Sequence, residues 1–101
     1  MAKTNEAGNL TQEKKRQGII EYSQCLKDSD LNSKNYNKKK AIKHCKLAAE
    51  FGNASAMLLL GHFNFMSKNK NLDVASKWYL QYANTRVEGY QYGYAMLGHI
   101  A

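Results

Sequence analysis

The chain has 101 residues, 44% of them hydrophobic, with no proline, two cysteines and a formal charge of +7. That length fits one small domain, and the apolar share is too high for full disorder. A mean hydropathy of −0.64, with lysines scattered throughout, excludes a membrane span.

In chain order, residues 1–10 (MAKTNEAGNL) are polar, carry no apolar core of a secretory signal, and read as a flexible leader. Thr11 is a candidate cap, with Glu13 in the first turn, and Ile19, Tyr22 and Leu26 recur at helical spacing. An N-terminal helix over 11–27 follows, with Gly18 inside it where another helix comes close. Residues 28–35 (DSDLNSKN) form a loop of turn-making residues. Over Tyr36–Glu50 the pattern of Ala41, Ile42, Cys45, Ala48 and Ala49 predicts a helix with one apolar face and lysines on the other. Gly52 suits the left-handed position after that helix, and Asn53 suits the cap of the next, Ala54–Met66, which is apolar on most sides. A fourth helix begins at Asn71 or Asp73 and buries Leu72, Ala75, Trp78, Tyr79, Tyr82 and Ala83. A fifth, over Tyr90–Ala101, buries Tyr94, Leu97 and Ile100. No segment alternates with period two, so the fold class is all-α.

The chain also repeats itself. Leu60-Gly61-His62 returns as Leu97-Gly98-His99, a shift of 37, and the pattern from Lys40 to Ala49 returns from Val74 to Ala83, a shift of 34. The difference falls in residues 84–91, a loop, where insertions cost little. Small residues recur too: Ala41, Ala48, Ala49, Ala56 and Gly61, then Ala75, Ala83, Gly93 and Gly98, which let paired helices approach. The segment Lys40–Gly61, KAIKHCKLAAEFGNASAMLLLG, resembles the Sel1-like repeat, a relative of the tetratricopeptide repeats. Val74–Ala83 and Tyr92–His99 resemble a second copy, so the likeness covers about two thirds of the chain. This sequence departs from that pattern at His44 and Cys45, where an aromatic pair is usual, at Tyr82, in the enlarged second loop, and in Met66–Lys70, where the family has a glycine-rich loop.

The resemblance implies a short α-solenoid of antiparallel helix hairpins with about five helices. It divides as a domain over 11–101, with repeat 1 at 36–66 and repeat 2 at 71–101. It also implies a non-enzymatic adaptor or scaffold that binds another protein. By analogy with helical repeats, the first helix of each hairpin lines the binding groove. The candidate partner-binding residues are Lys39, Lys43, Lys46, Ser76, Lys77 and Leu80, joined by Tyr90 and Tyr92 from the enlarged loop, since exposed tyrosines favour interfaces.

The charge sits unevenly: no acid interrupts the lysines between Leu31 and Ala49. The expected partner is therefore an acidic protein. Non-specific nucleic-acid binding through the Lys34–Lys46 cluster is the alternative, although lysines far outnumber arginines and bidentate base contacts favour arginine. Self-association through the C-terminal helix, left without a polar capping helix, is a third expectation. The histidines, His44, His62 and His99, have no second ligand at i+3 or i+4, so no metal is expected, and no cofactor either. Cys45 reads as a small buried apolar residue. Cys25 and Cys45, lacking a signal and a CxxC spacing, are expected as free thiols in the cytoplasm, with signal-less export of an effector as the other route.

Overall fold

A computed structural model describes residues 2–68 and 70–100, with side chains from Thr11 onward. The described residues are all-helical: α1 (Ala2–Asp28), α2 (Lys38–Glu50), α3 (Ala54–Met66), α4 (Leu72–Asn84) and α5 (Gln91–Ile100). The chain divides into two compact units, Met1–Asn53 and Ala54–Ala101. That division runs through the segment read as repeat 1.

In the first unit α1 packs antiparallel on α2. The helix begins at Ala2, so residues expected as a leader lie within it and Thr11 is not its cap. The face of α1 is also rotated from the expected one. Ile19 and Leu26 are 59% and 46% exposed, while Gly18 and Cys25 are buried and Tyr22 is half-buried between them. The reason is the partner surface. The stripe of α2 that meets α1 is Ala41, Cys45, Ala48 and Ala49, all small, so α1 offers its own small residues to it. A Cβ at Gly18 would stand 3.3 Å from Cβ of Phe51 and 3.5 Å from the Ala48 carbonyl oxygen, which accounts for the glycine.

Two devices start and stop α2. The Asn37 side chain accepts a hydrogen bond from the Lys40 N–H, so the helix starts at Lys38 rather than Tyr36. After Glu50, Gly52 takes φ +89°, the left-handed conformation expected of it.

The second unit holds α3 against α4 and α4 against α5. Asn71 caps α4 by accepting from the Val74 N–H. Ala75, Tyr79, Tyr82 and Ala83 are buried as predicted, but Leu72 is exposed and Trp78 only half-buried. On α5 the buried positions are Gly93 and Met96, with Leu97 and Ile100 packed on the same core. Tyr94 instead faces outward, its ring 6.2 Å from that of Tyr90. Gly93 explains the rotation: a Cβ there would lie 2.7 Å from the Tyr79 carbonyl oxygen, so this is the face that can come closest to α4.

Candidate functional site

The first unit contains one covalent link, and it overturns a sequence expectation. Cys25 and Cys45 are not free thiols but a disulfide, with their Cα atoms 5.3 Å apart; among the described residues no cysteine is free. Spacing alone hides this pair, because the two cysteines stand 20 positions apart in sequence, across a helix end, a loop and a helix start. The antiparallel turn brings the last turns of α1 beside the second turn of α2.

Beside the disulfide, His44 reaches across to α1. Its Nδ1–H donates to Glu21 Oε2 at 2.6 Å, and its Nε2 lies 3.7 Å from Asp28 Oδ2. Asp28 is buried, and its other oxygen accepts from the Gln24 amide at 3.3 Å. Thus His44, where the family pattern has an aromatic residue, ties α2 to two carboxylates of α1. Cys45 next to it points into the helix interface, so the two do not form a nucleophilic pair.

The opposite side of α2 carries the lysines. Lys39, Ile42, Lys43, Lys46, Leu47 and Glu50 line one open groove of about 380 Å³. These positions step by three and four along the helix and so share a face. Lys39, Lys43 and Lys46 are exposed, whereas Ile42 and Leu47 are half-buried. Among the described residues none of the three lysines forms an ion pair. Around the helix the three lysines and Glu50 occupy the middle of this face, and Ile42 and Leu47 stand at its opposite edges, about 140° apart at ~100° per residue. The spacing predicts Ile42 on the buried face of α2, but it is only half-buried, as is Leu47. The available signal was the alanine stripe: a helix that buries only alanines and cysteine against its neighbour leaves its large apolar residues elsewhere.

The remaining candidates lie in the second unit. On α4, Ser76 is half-buried, while Lys77 and Leu80 are exposed. Tyr90 and Tyr92 have different neighbours. The Arg86 guanidinium stacks 4.8 Å from the centre of the Tyr90 ring, and the Tyr92 ring meets that of His62 at 5.8 Å. Arg86 itself sits at φ 59°, the left-handed region, in the loop between α4 and α5.

His62 and Tyr79 make the main polar contact of this unit. The Tyr79 hydroxyl and His62 Nδ1 are 2.7 Å apart. Burial lowers the pKa of His62 below its ordinary 6.5, favouring the neutral ring. Burial, then the neighbouring Tyr92 phenol, pushes Tyr79 up to about 12. With both groups neutral, the tautomer sets the direction: the hydroxyl donates to Nδ1 when the ring proton is on Nε2, and Nδ1–H donates to the hydroxyl oxygen when it is on Nδ1. His99, at the matching repeat position, is exposed instead.

Among the described residues no group of three His, Cys, Asp or Glu side chains is placed to hold a metal ion. Nor is any helix among them long and apolar enough to cross a membrane. No family model, no curated protein and no solved structure matches the chain. The likeness to Sel1-like repeats accordingly rests on the residues quoted for it.

Proposed function

We propose that the chain is a non-enzymatic protein-binding module, a divergent relative of the Sel1-like repeats, whose α2 face takes an acidic protein partner. One observation carries this reading: three lysines with no ion pair among the described residues stand in a row on one face of α2, with the half-buried Ile42 and Leu47 at its two edges. Surface cations steer an oppositely charged partner and set its register, while apolar area buried at the edges of the row supplies affinity. A nucleic-acid backbone would use the lysines and leave Ile42 and Leu47 uncovered, which favours protein over phosphate as the occupant.

Affinity purification from the native cell, with the wild-type chain beside a Lys39→Glu/Lys43→Glu variant, tests the proposal. An acidic protein should be recovered by the wild type and lost from the charge-reversed chain. A gel shift with a DNA or RNA duplex across a salt series is the counter-test. Binding that falls steeply with salt and exceeds any protein binding defeats the reading.

The disulfide changes the proposed location. A bridge between two fully buried cysteines persists where thiols are oxidised, and is rare in a reducing cytosol. We therefore propose an oxidising compartment in place of the cytoplasm expected from the sequence. Intact mass of the native protein, measured with and without reduction before alkylation, distinguishes the two.

A further inference from the structure

We infer that the bridge between Cys25 and Cys45 is a redox latch. It, and not apolar packing, holds α1 on α2, so the first unit keeps its fold only while the two sulfurs are joined.

What each unit buries is the first argument. In the second unit Leu60 and Tyr79 are fully buried, and Met57, Tyr82 and Met96 nearly so. In the first, the fully buried side chains among the described residues are Cys25, Ala41, Cys45 and Ala48, none larger than a cysteine. The large aliphatic residues Ile19, Ile20 and Leu26 of α1 all stay exposed. Hydrophobic stabilisation scales with the apolar area removed from water, and an alanine stripe removes little. Undocking α1 therefore forfeits far less burial than opening the second unit would.

The polar ties beside the bridge are the second argument. The Asn37 N–H donates to the Asp28 carbonyl at 2.8 Å, and Glu21 meets His44. The side chains of that pair keep 18% and 27% of their surface in water, and a water-accessible pair contributes little. Asp28 Oδ2 is buried with no hydrogen-bond partner among the described residues, which opposes docking.

The third argument concerns α2 itself. At 13 residues it has a length at which an isolated helix is marginal in water. Lys38, Lys39 and Lys40 crowd its first turn, at the positive end of the helix dipole, with no acid there to offset them. When α1 leaves, α2 loses its helical face, and the row of Lys39, Lys43 and Lys46 goes with it. On the reading of that row as partner-binding, an acidic partner is taken only where thiols are oxidised.

Reduction by a dithiol opens the latch. Two electrons and two protons pass to Cys25 and Cys45, the S–S bond breaks, and the dithiol closes into its own disulfide. Both sulfurs are fully buried, so the attacking thiolate reaches them only when the helices part.

Amide hydrogen exchange followed residue by residue by NMR tests this on the full chain. Three forms are compared: oxidised, reduced with excess dithiothreitol, and the Cys25→Ala with Cys45→Ala variant. Protection over 18–28 and 41–50 should fall about a hundredfold in both bridge-free forms, while that of α3, α4 and α5 changes by less than about threefold. Glu21→Gln, which keeps the bridge, should lower protection of the first unit by less than about tenfold. Equal loss in both units overturns the latch, as does full protection of the first unit without the bridge. A loss in Glu21→Gln as large as in the double variant overturns it too. No partner enters these measurements, so their failure leaves the acidic-partner reading standing, and failure of that reading leaves the latch.

Discussion

Gly61 of α3 lies flat against the ring of Tyr79 on α4. A Cβ built at Gly61 would stand 2.6 Å from Tyr79 Cε1 and 2.8 Å from Cδ1. Tyr79 is fully buried, and its hydroxyl is held by His62, so the ring has no free direction in which to retreat. Gly61→Ala should therefore destabilise the protein by about 1–3 kcal/mol, the usual cost of overpacking. Gly98→Ala meets nothing within 4 Å and should be neutral or stabilising by up to about 1 kcal/mol, the helix-propensity gain. Denaturant unfolding of the two variants beside the wild type decides it.

The disulfide should contribute measurably to stability. Bridging a separation of 20 residues restricts the unfolded chain by about 3 kcal/mol in the chain-entropy account. Cys25→Ala with Cys45→Ala should lower the unfolding midpoint accordingly, and the wild type under strong reductant should approach the same value. Stability that is identical with and without the bridge would contradict this.

Stability should also fall at both ends of the pH range, for different reasons. His62 has its pKa lowered on folding, so its contribution is complete above the ordinary 6.5 and is lost as pH falls through the folded value. Tyr79 has its pKa raised to about 12, so its contribution is complete below the ordinary 10.0 and is lost as pH climbs from there towards 12. Unfolding midpoints measured across pH should trace both arms. Phenolate absorbance should find one of the seven tyrosines ionising late, and Tyr79→Phe should remove that late step.

Each cap asparagine can be tested by itself. Asn37→Ala and Asn71→Ala each remove an acceptor for a first-turn N–H, Lys40 in α2 and Val74 in α4. Each should cost about 1 kcal/mol, and Asp at either position should retain most of the stability. Thermal unfolding with circular dichroism reads the difference.

How much of this was legible in the sequence follows from what kind of information each feature needs. The five helices were legible because their signals are local. Asn71 caps α4, Gly52 turns left-handed after α2, and the stripe of Ala41, Cys45, Ala48 and Ala49 recurs at helical spacing. Which face each helix buries was less legible, because hydrophobicity says less than size about how closely two helices approach. On α1 the bulky Ile19 and Leu26 stay outside while Gly18 and Cys25 go in. On α5 Gly93 displaces Tyr94 from the interface. The disulfide and the Glu21–His44 contact depend on where two helices meet, and no short motif announces either one. At the candidate site the lysines were legible as an acid-free run. The apolar edges of that row were not, since Ile42 and Leu47 gain their meaning only once the alanines have taken the other face.

The bridge between Cys25 and Cys45 encloses the loop at 29–37, where Leu31 is 78% exposed. A protease that cuts this loop breaks the chain without releasing either piece. The severed N-terminal fragment stays joined through sulfur to the helix that bears Lys39, Lys43 and Lys46. On a non-reducing gel the nicked molecule would run as one species, and it would separate into two only after reduction. An exposed stretch of the first unit is thus one whose peptide bonds can be cut without the pieces parting.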